Sequence, residues 1–161
     1  LELPDTAQLS IHQRINEDWA VMADVFHTWW SKFDELVIEY ENDFPSDSVI
    51  PEKWEDVWRF SVGTTYEMND EVQLRFGLVY DESPVPSDLY RSPRIPDEDR
   101  YWVTAGVGWR VSETVRIDLA YARIIVDDPV IDNYTHTAGE LLRGTMDAKV
   151  DIVSLGLSAA F

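Results

Sequence analysis

The sequence predicts an all-β chain, an antiparallel meander of seven strands forming part of the wall of a transmembrane β-barrel. Three observations predict it: seven stretches of about ten residues alternate apolar with polar or small side chains, their connections alternate short and long, and aromatic residues gather at both ends of the apolar faces. Side chains of a strand alternate with period two, so each stretch has one apolar face and one mixed face. A soluble sheet turns the apolar face to a core, whereas a membrane barrel turns it to lipid and leaves the mixed face to the lumen.

From Thr6 to Ile15, Ala7, Leu9, Ile11 and Ile15 oppose Gln8, Ser10, His12 and Arg14. Next, Trp19, Val21, Ala23, Val25 and Trp29 oppose Met22, Asp24, Phe26, Thr28 and Trp30, and the pattern continues less cleanly from Phe33 to Tyr40. The third set is Trp58, Phe60, Val62, Thr64 and Tyr66 against Arg59, Ser61, Gly63, Thr65 and Glu67. In the fourth, Val72, Leu74, Phe76, Leu78 and Tyr80 oppose Gln73, Arg75, Gly77, Val79 and Asp81. The fifth sets Tyr101, Val103, Ala105, Val107, Trp109 and Val111 against Trp102, Thr104, Gly106, Gly108 and Arg110. Val115, Ile117, Leu119 and Tyr121 oppose Arg116, Asp118, Ala120 and Ala122 in the sixth. In the seventh, Val153, Leu155, Leu157, Ala159 and Phe161 oppose Ile152, Ser154, Gly156, Ser158 and Ala160. A tilted membrane strand needs roughly 9–11 residues, which all seven supply.

Asn16-Glu17-Asp18, Asn69-Asp70-Glu71 and Ser112-Glu113-Thr114 read as tight turns, separated by long segments from Asp34 to Asp56, Asp81 to Arg100 and Asp127 to Asp147. Strict alternation places every tight turn at one end of the sheet and every long loop at the other, the asymmetry of outer-membrane barrels. Trp19, Tyr66, Trp109 and Phe161 lie outward near the turn end; Trp29, Trp58, Tyr80, Tyr101 and Tyr121 lie outward near the loop end. Two such bands match the aromatic girdles that sit at the two membrane–water interfaces. The long loops also hold 20 of the 31 Asp and Glu residues, solvated faces that suit divalent cations bridging lipopolysaccharide.

Composition excludes several other classes. A net charge of -18 speaks against binding the phosphates of nucleic acid. With no cysteine there is neither a disulfide framework nor a thiolate metal site, and no cofactor is expected. No run approaches the 18 apolar residues of a membrane helix. His12, His27 and His136 stand in no catalytic motif, so an enzyme is not expected. Leu1-Glu2-Leu3-Pro4 does not read as a signal peptide, which for an exported protein implies a mature chain or a fragment.

The lumen face holds the candidate site. Arg14, Arg59, Arg75, Arg110 and Arg116, with Asp24, Asp81 and Asp118, stand among Met22, Phe26, Trp30, Val79 and Trp102. Guanidinium beside aromatic rings suits an amphipathic ligand, the cation for a head-group carboxylate and the rings for a chain. Arg59, Arg75, Asp81, Phe26, Trp30 and Trp102 are the candidate ligand-binding residues. Pairing of the charges with one another across the lumen is the alternative. Pro84, Pro86 and Pro96 restrict the backbone and fold the loop into the barrel mouth, and Arg100 is expected to pair with Asp97 or Asp99 to fix it. By parity Arg123 faces outward, towards lipopolysaccharide phosphates, unless a bulge turns it inward. Phe161 ends the last outward row and fits the signal read by outer-membrane assembly machinery. A soluble lipocalin-like lipid carrier remains open, because alternation does not distinguish core from lipid; a nonspecific porin is the other alternative, disfavoured by the bulky Phe26, Trp30 and Trp102 on the lumen side.

YDESPVP (Tyr80 to Pro86), IPDEDRYW (Ile95 to Trp102) and WWSKF (Trp29 to Phe33) resemble the carboxy-terminal half of FadL-type long-chain fatty acid transporters. The similarity runs from LPDT near the start to Phe161; the segment from Asp127 to Asp147 shows no matching pattern. The resemblance implies a barrel of about 14 strands with an amino-terminal plug, which takes fatty acids or aromatic hydrocarbons from outside through an external groove and a tighter interior pocket. It implies that Asp81 stands at that interior pocket. Seven strands cannot close as an all-antiparallel barrel, because the first and last run the same way, so residues 1–161 are expected to be the carboxy-terminal part of the larger barrel. The implied mechanism is passive and ligand-gated, there being no phosphate-binding loop in the sequence.

Overall fold

The computed structural model describes residues 3–40, 48–135 and 140–160. Seven strands form one antiparallel sheet in the order β1 (Thr6–Arg14), β2 (Trp19–Thr28), β5 (Val57–Glu67), β6 (Val72–Asp81), β7 (Arg100–Arg110), β8 (Val115–Val126) and β11 (Lys149–Ala159). These are the seven expected strands, and every neighbour is the next long strand in the chain. Two short hairpins lie outside the sheet: β3 (Glu35–Ile38) with β4 (Ser48–Pro51), and β9 (Val130–Thr135) with β10 (Glu140–Thr145). The weak alternation after Trp29 is therefore no extension of β2. That strand stops at Thr28, a 3-10 turn follows at Trp30–Lys32, and residues 35–38 pair within their own hairpin.

The three tight turns are closed by one device. The Asn16 side-chain oxygen accepts from the Asp18 and Trp19 amides (2.9 and 2.8 Å), and that of Asn69 from the Glu71 and Val72 amides (2.9 and 2.8 Å). Ser112 Oγ accepts from the Thr114 and Val115 amides at 3.3 and 3.1 Å. A short polar side chain at the first turn position thus satisfies amides that the ladder leaves free.

Burial is inverted relative to a soluble protein. Phe76 is 53% exposed, Val62 55%, Leu78 55% and Leu155 75%, all on the apolar face. Buried hydrophobic residues among those described are few: Ala20, Val57, Val85, Ile124 and Ile131, two of them in the long loops. A contiguous apolar face of this extent has no core to cover it, whereas a bilayer covers it entirely. The soluble-carrier alternative falls on this observation.

Register turns the mixed face into rows. One row at the loop end runs Gln8, Phe26, Arg59, Asp81, Arg100; the next runs Ser10, Asp24, Ser61, Val79, Trp102, Ile124. Towards the turns come Arg14, Ala20, Thr65, Arg75, Gly106, Ala120 and then Glu67, Gln73, Gly108, Asp118, Gly156. Polar and small residues therefore share one continuous surface. On the opposite surface Trp19 packs on Tyr66 at 4.7 Å near the turns and Tyr80 on Tyr101 at 5.2 Å near the loops. The Tyr80 hydroxyl donates to Asp99 at 2.6 Å, which keeps its ring at the apolar face and its tip among polar loop groups.

Candidate functional site at the loop end of the lumen face

Three neighbouring strands bring their row residues together where β6 ends and β7 begins. Asp81 is 5% exposed and lies between two guanidinium groups: Arg59 Nε is 3.2 Å from its Oδ1 and Arg100 Nη2 is 3.0 Å from its Oδ2. Arg100 also reaches Asp97 Oδ1 through Nη1 at 3.3 Å. Register explains the arrangement, since Asp81 faces Arg59 on one side and Arg100 on the other. A charge this deeply buried is costly unless it is paired, and the two guanidinium groups pair it.

A cavity of about 510 Å³ opens beside this cluster, within the ~300–1,000 Å³ usual for small-molecule pockets. Phe26, Trp30, Arg59, Asp81, Pro84, Asp97 and Arg100 line it, together with Trp54, Val57, Ile95 and Pro4. The Arg59 guanidinium stacks over the Phe26 ring at 5.4 Å, and Trp30 meets Trp54 edge-on at 4.8 Å. The cavity thus joins two cations to an aromatic wall.

Of the residues expected at the site, the cavity unites Phe26, Trp30, Arg59 and Asp81 with the loop residues Pro84, Asp97 and Arg100. Trp30 arrives by a route that parity does not describe, through the 3-10 turn rather than along β2. Trp102 sits one row below, its indole nitrogen buried and without a hydrogen-bond partner among the described residues. Arg75 is six residues from Asp81 along β6, roughly 20 Å away at the rise of a strand, and belongs to a separate cluster. Trp54 was not singled out from the sequence; a tryptophan in the acidic stretch PEKWED just before a strand is the signal that marks it.

The loops are stitched into a collar. Pro84 is buried, and its carbonyl accepts from the Glu55 amide at 2.8 Å. Of its two expected partners Arg100 takes Asp97; Asp99 accepts instead from the Tyr80 hydroxyl and from the Ser83 amide at 2.9 Å, because its position next to the strand end turns it towards the apolar side of the hairpin. Pro86 and Pro96 are half-buried in the same loop and do not line the cavity. Arg91, 5% exposed, donates to the carbonyls of Asp97 (2.8 Å) and Val130 (2.5 Å) and pairs with Glu98, tying the second loop to the third. Arg123 shares the outward face of Tyr121, and its guanidinium is matched there by Asp151 at 2.9 Å on the adjoining strand. Phe161 lies outside the described residues.

Glu52, 3% exposed, gives the collar a pH response. Its amide donates to the Asp34 carbonyl at 2.8 Å, and its carboxyl accepts from Trp54 Nε1 at 3.2 Å. Burial raises its pKa above the ordinary value of 4.5, with the Trp54 bond and the Arg94 charge pulling the other way. The folded collar then binds this proton more tightly than the open one, so the contribution is fully present below the ordinary value and is lost as pH rises through the raised one. Protection of residues 50–56 from hydrogen exchange, the intrinsic rate divided by the observed rate at each pH, is expected to rise as pH is lowered from about 7 towards the ordinary carboxyl value, and Glu52→Gln to abolish the rise. Equal protection factors at both ends of that range in the wild type would refute it.

The architecture defines the class: a seven-stranded stretch of transmembrane β-barrel wall with a cation-and-aromatic cavity at its mouth. The whole chain, residues 1–161, matches the family model described as outer membrane protein transport protein (OMPP1/FadL/TodX). It is 36% identical over 122 residues to the long-chain fatty acid transport protein of Escherichia coli O6:H1, covering 74% of this chain and 26% of that relative. Outer membrane protein P1 of Haemophilus influenzae is 29% identical over 123 residues, 76% of this chain and 26% of the relative. Among solved structures, a FadL homologue of Pseudomonas aeruginosa superposes with a TM-score of 0.86 at 28% identity, over 97% of this chain and 35% of that one. A monoaromatic hydrocarbon channel, the TodX deltaS2 mutant, gives 0.73 at 25% identity, over 98% and 36%. The chain belongs to the OMPP1/FadL/TodX family of outer-membrane transport proteins and spans about a quarter of the length of these relatives. It is an outer-membrane protein, and the family is one of transport channels rather than enzymes.

Proposed function

We propose that residues 1–161 are the carboxy-terminal part of a barrel of about 14 strands that conducts long-chain fatty acids or other hydrophobic compounds across the outer membrane, by passive, ligand-gated diffusion past a plug supplied by the rest of the protein. Support for the larger barrel comes from the edges: β1 and β11 run in the same direction, and each has a strand neighbour on one side only among the described residues. Open edges of that kind are not stable in lipid.

The observation that carries the reading is the mouth cavity. A ligand carboxylate would compete with Asp81 and Asp97 for Arg59 and Arg100, exchanging one charge-assisted pair for another, while its chain lies against Phe26, Trp30 and Trp54. Because the exchange is between like groups, its net free energy is small, which suits a conduit that must release what it binds. The exposed apolar face and its aromatic bands provide the contact with membrane lipid and lipopolysaccharide, and Phe161 is the signal for the assembly machinery.

The test is equilibrium binding to the full-length protein folded in detergent, with radiolabelled oleate as probe and sucrose as control. Saturable oleate binding that Arg59→Gln weakens about tenfold is expected, and Asp81→Ala is expected to lower uptake without lowering the amount of folded barrel. Binding of toluene but not oleate would move the substrate to aromatic hydrocarbons. Binding of neither would overturn the reading.

A further inference from the structure

The turn end of the lumen face holds a second charged cluster that the mouth does not use. Arg75 Nη2 and Arg116 Nε both donate to Asp118, and Arg75 Nε and Arg116 Nη2 both donate to the side-chain oxygen of Gln73 at 2.8 and 3.0 Å. One carboxylate and one amide oxygen therefore hold two guanidinium groups side by side. Among the described residues neither Nη1 is given a hydrogen-bond partner, and the side chains are 40% (Arg75) and 35% (Arg116) exposed. Arg110 lies directly opposite Arg116 in the register and makes no ion pair among the described residues. Like charges in that relation repel, yet the sheet places two arginines on one carboxylate and a third opposite one of them. This occurs in a chain whose net charge is -18.

Gly108 shows that the cluster is seated in the wall. A Cβ there would stand 2.6 Å from Arg75 Nη2 and 2.8 Å from Asp118 Oδ1, and would also overlap Arg116 Nη2. One guanidinium nitrogen of each arginine thus occupies space that a side chain at 108 would take. Paired guanidinium groups with donors left over among the described residues are a receptor for a carboxylate.

We propose that Arg75, Arg116 and Arg110 form a second carboxylate station in the lumen, roughly 20 Å along the strands from the mouth cavity. It deepens the conduit reading and rests on it for the identity of a free ligand. The carboxylate has two possible sources, the head group of a fatty acid that has left the mouth or an acidic side chain from the remainder of the protein. Either neutralises the excess charge, and a head group would be drawn from the mouth towards the turn end.

The double variant Arg75→Gln/Arg116→Gln of the full-length protein distinguishes these sources. With a fatty acid as occupant, the weaker class of oleate sites loses about tenfold in affinity while oleyl alcohol moves by less than about twofold, and Arg75→Lys/Arg116→Lys restores most of the loss. With an internal carboxylate, oleate binding is unchanged and the remainder of the protein becomes more sensitive to trypsin. Either result supports the station; neither change, in a variant that retains the heat-modifiable mobility of a folded barrel, overturns it. Should the double variant fail to fold, Arg110→Gln, which breaks no contact seen here, is expected to shift the same readout about threefold. Wild-type protein that binds no oleate would remove the conduit reading while leaving the trypsin readout to decide the station.

Discussion

Replacing Arg100 by Gln is expected to leave the barrel folded, to make the loop of residues 82–99 cleavable by protease, and to lower uptake by about an order of magnitude. Arg100 bridges Asp81 at the end of β6 and Asp97 in the loop, so it closes the hairpin and pins the loop over the cavity. Without it Asp81 keeps only Arg59, whose side chain is 50% exposed, and Asp97 keeps the Ser83 hydroxyl and the Arg91 charge. Removing one partner of a fully buried pair costs about 3–5 kcal/mol. Because Arg100 is itself 31% exposed, water screens part of that, and about 1–3 kcal/mol is the appropriate scale. That loss falls on the loop, not on the ladder, whose backbone bonds do not involve these side chains. Adding Asp97→Asn removes one of the stranded charges, so the double variant should recover much of both protease resistance and uptake. Unchanged proteolysis and uptake in Arg100→Gln would show that the bridge does not hold the mouth.

Parity, turn chemistry and strand length made the sheet legible because each is a local property that a membrane wall does not override. Alternation assigned Phe26, Arg59 and Asp81 to one face, and they line one cavity. What parity does not supply is height along the strand. Arg75 and Asp81 share a face yet stand roughly 20 Å apart, so a list of lumen residues merges two clusters that the register separates. Nor does it foresee where a strand ends. Trp30 has the right parity, but β2 stops at Thr28 and a 3-10 turn brings the indole to the cavity. The β3–β4 and β9–β10 hairpins went unread because four to six residues in acidic loops give too short a period to register. Their place depends on long-range ties such as Arg91 to Val130, which no window of sequence contains.

Leu155→Arg and Ser154→Arg are adjacent changes in one strand, and they are expected to differ by about 2–4 kcal/mol in the stability of the full-length protein in a bilayer. Both residues lie mid-strand in β11 and both are exposed, Leu155 on the apolar face opposite Leu119 and Ser154 on the lumen face opposite Ala120. In water an exposed arginine at either place would cost little. In lipid Leu155→Arg puts a guanidinium near the midplane with Val153 and Leu157 on either side, and no carboxylate on the facing part of β8, where Ile117, Leu119 and Tyr121 stand. Arg123 and Asp151 tolerate the same face because each neutralises the other, with the Tyr121 hydroxyl donating to Asp151 at 2.6 Å. Ser154→Arg points instead to the lumen among Ala120, Gly156 and Ser158, where water reaches it. Reversible unfolding in phospholipid vesicles measures both variants on one scale. A penalty at Leu155 and near-neutrality at Ser154 follow if the apolar face meets lipid; equal effects, or a larger one at Ser154, would mean that the faces are assigned the wrong way round.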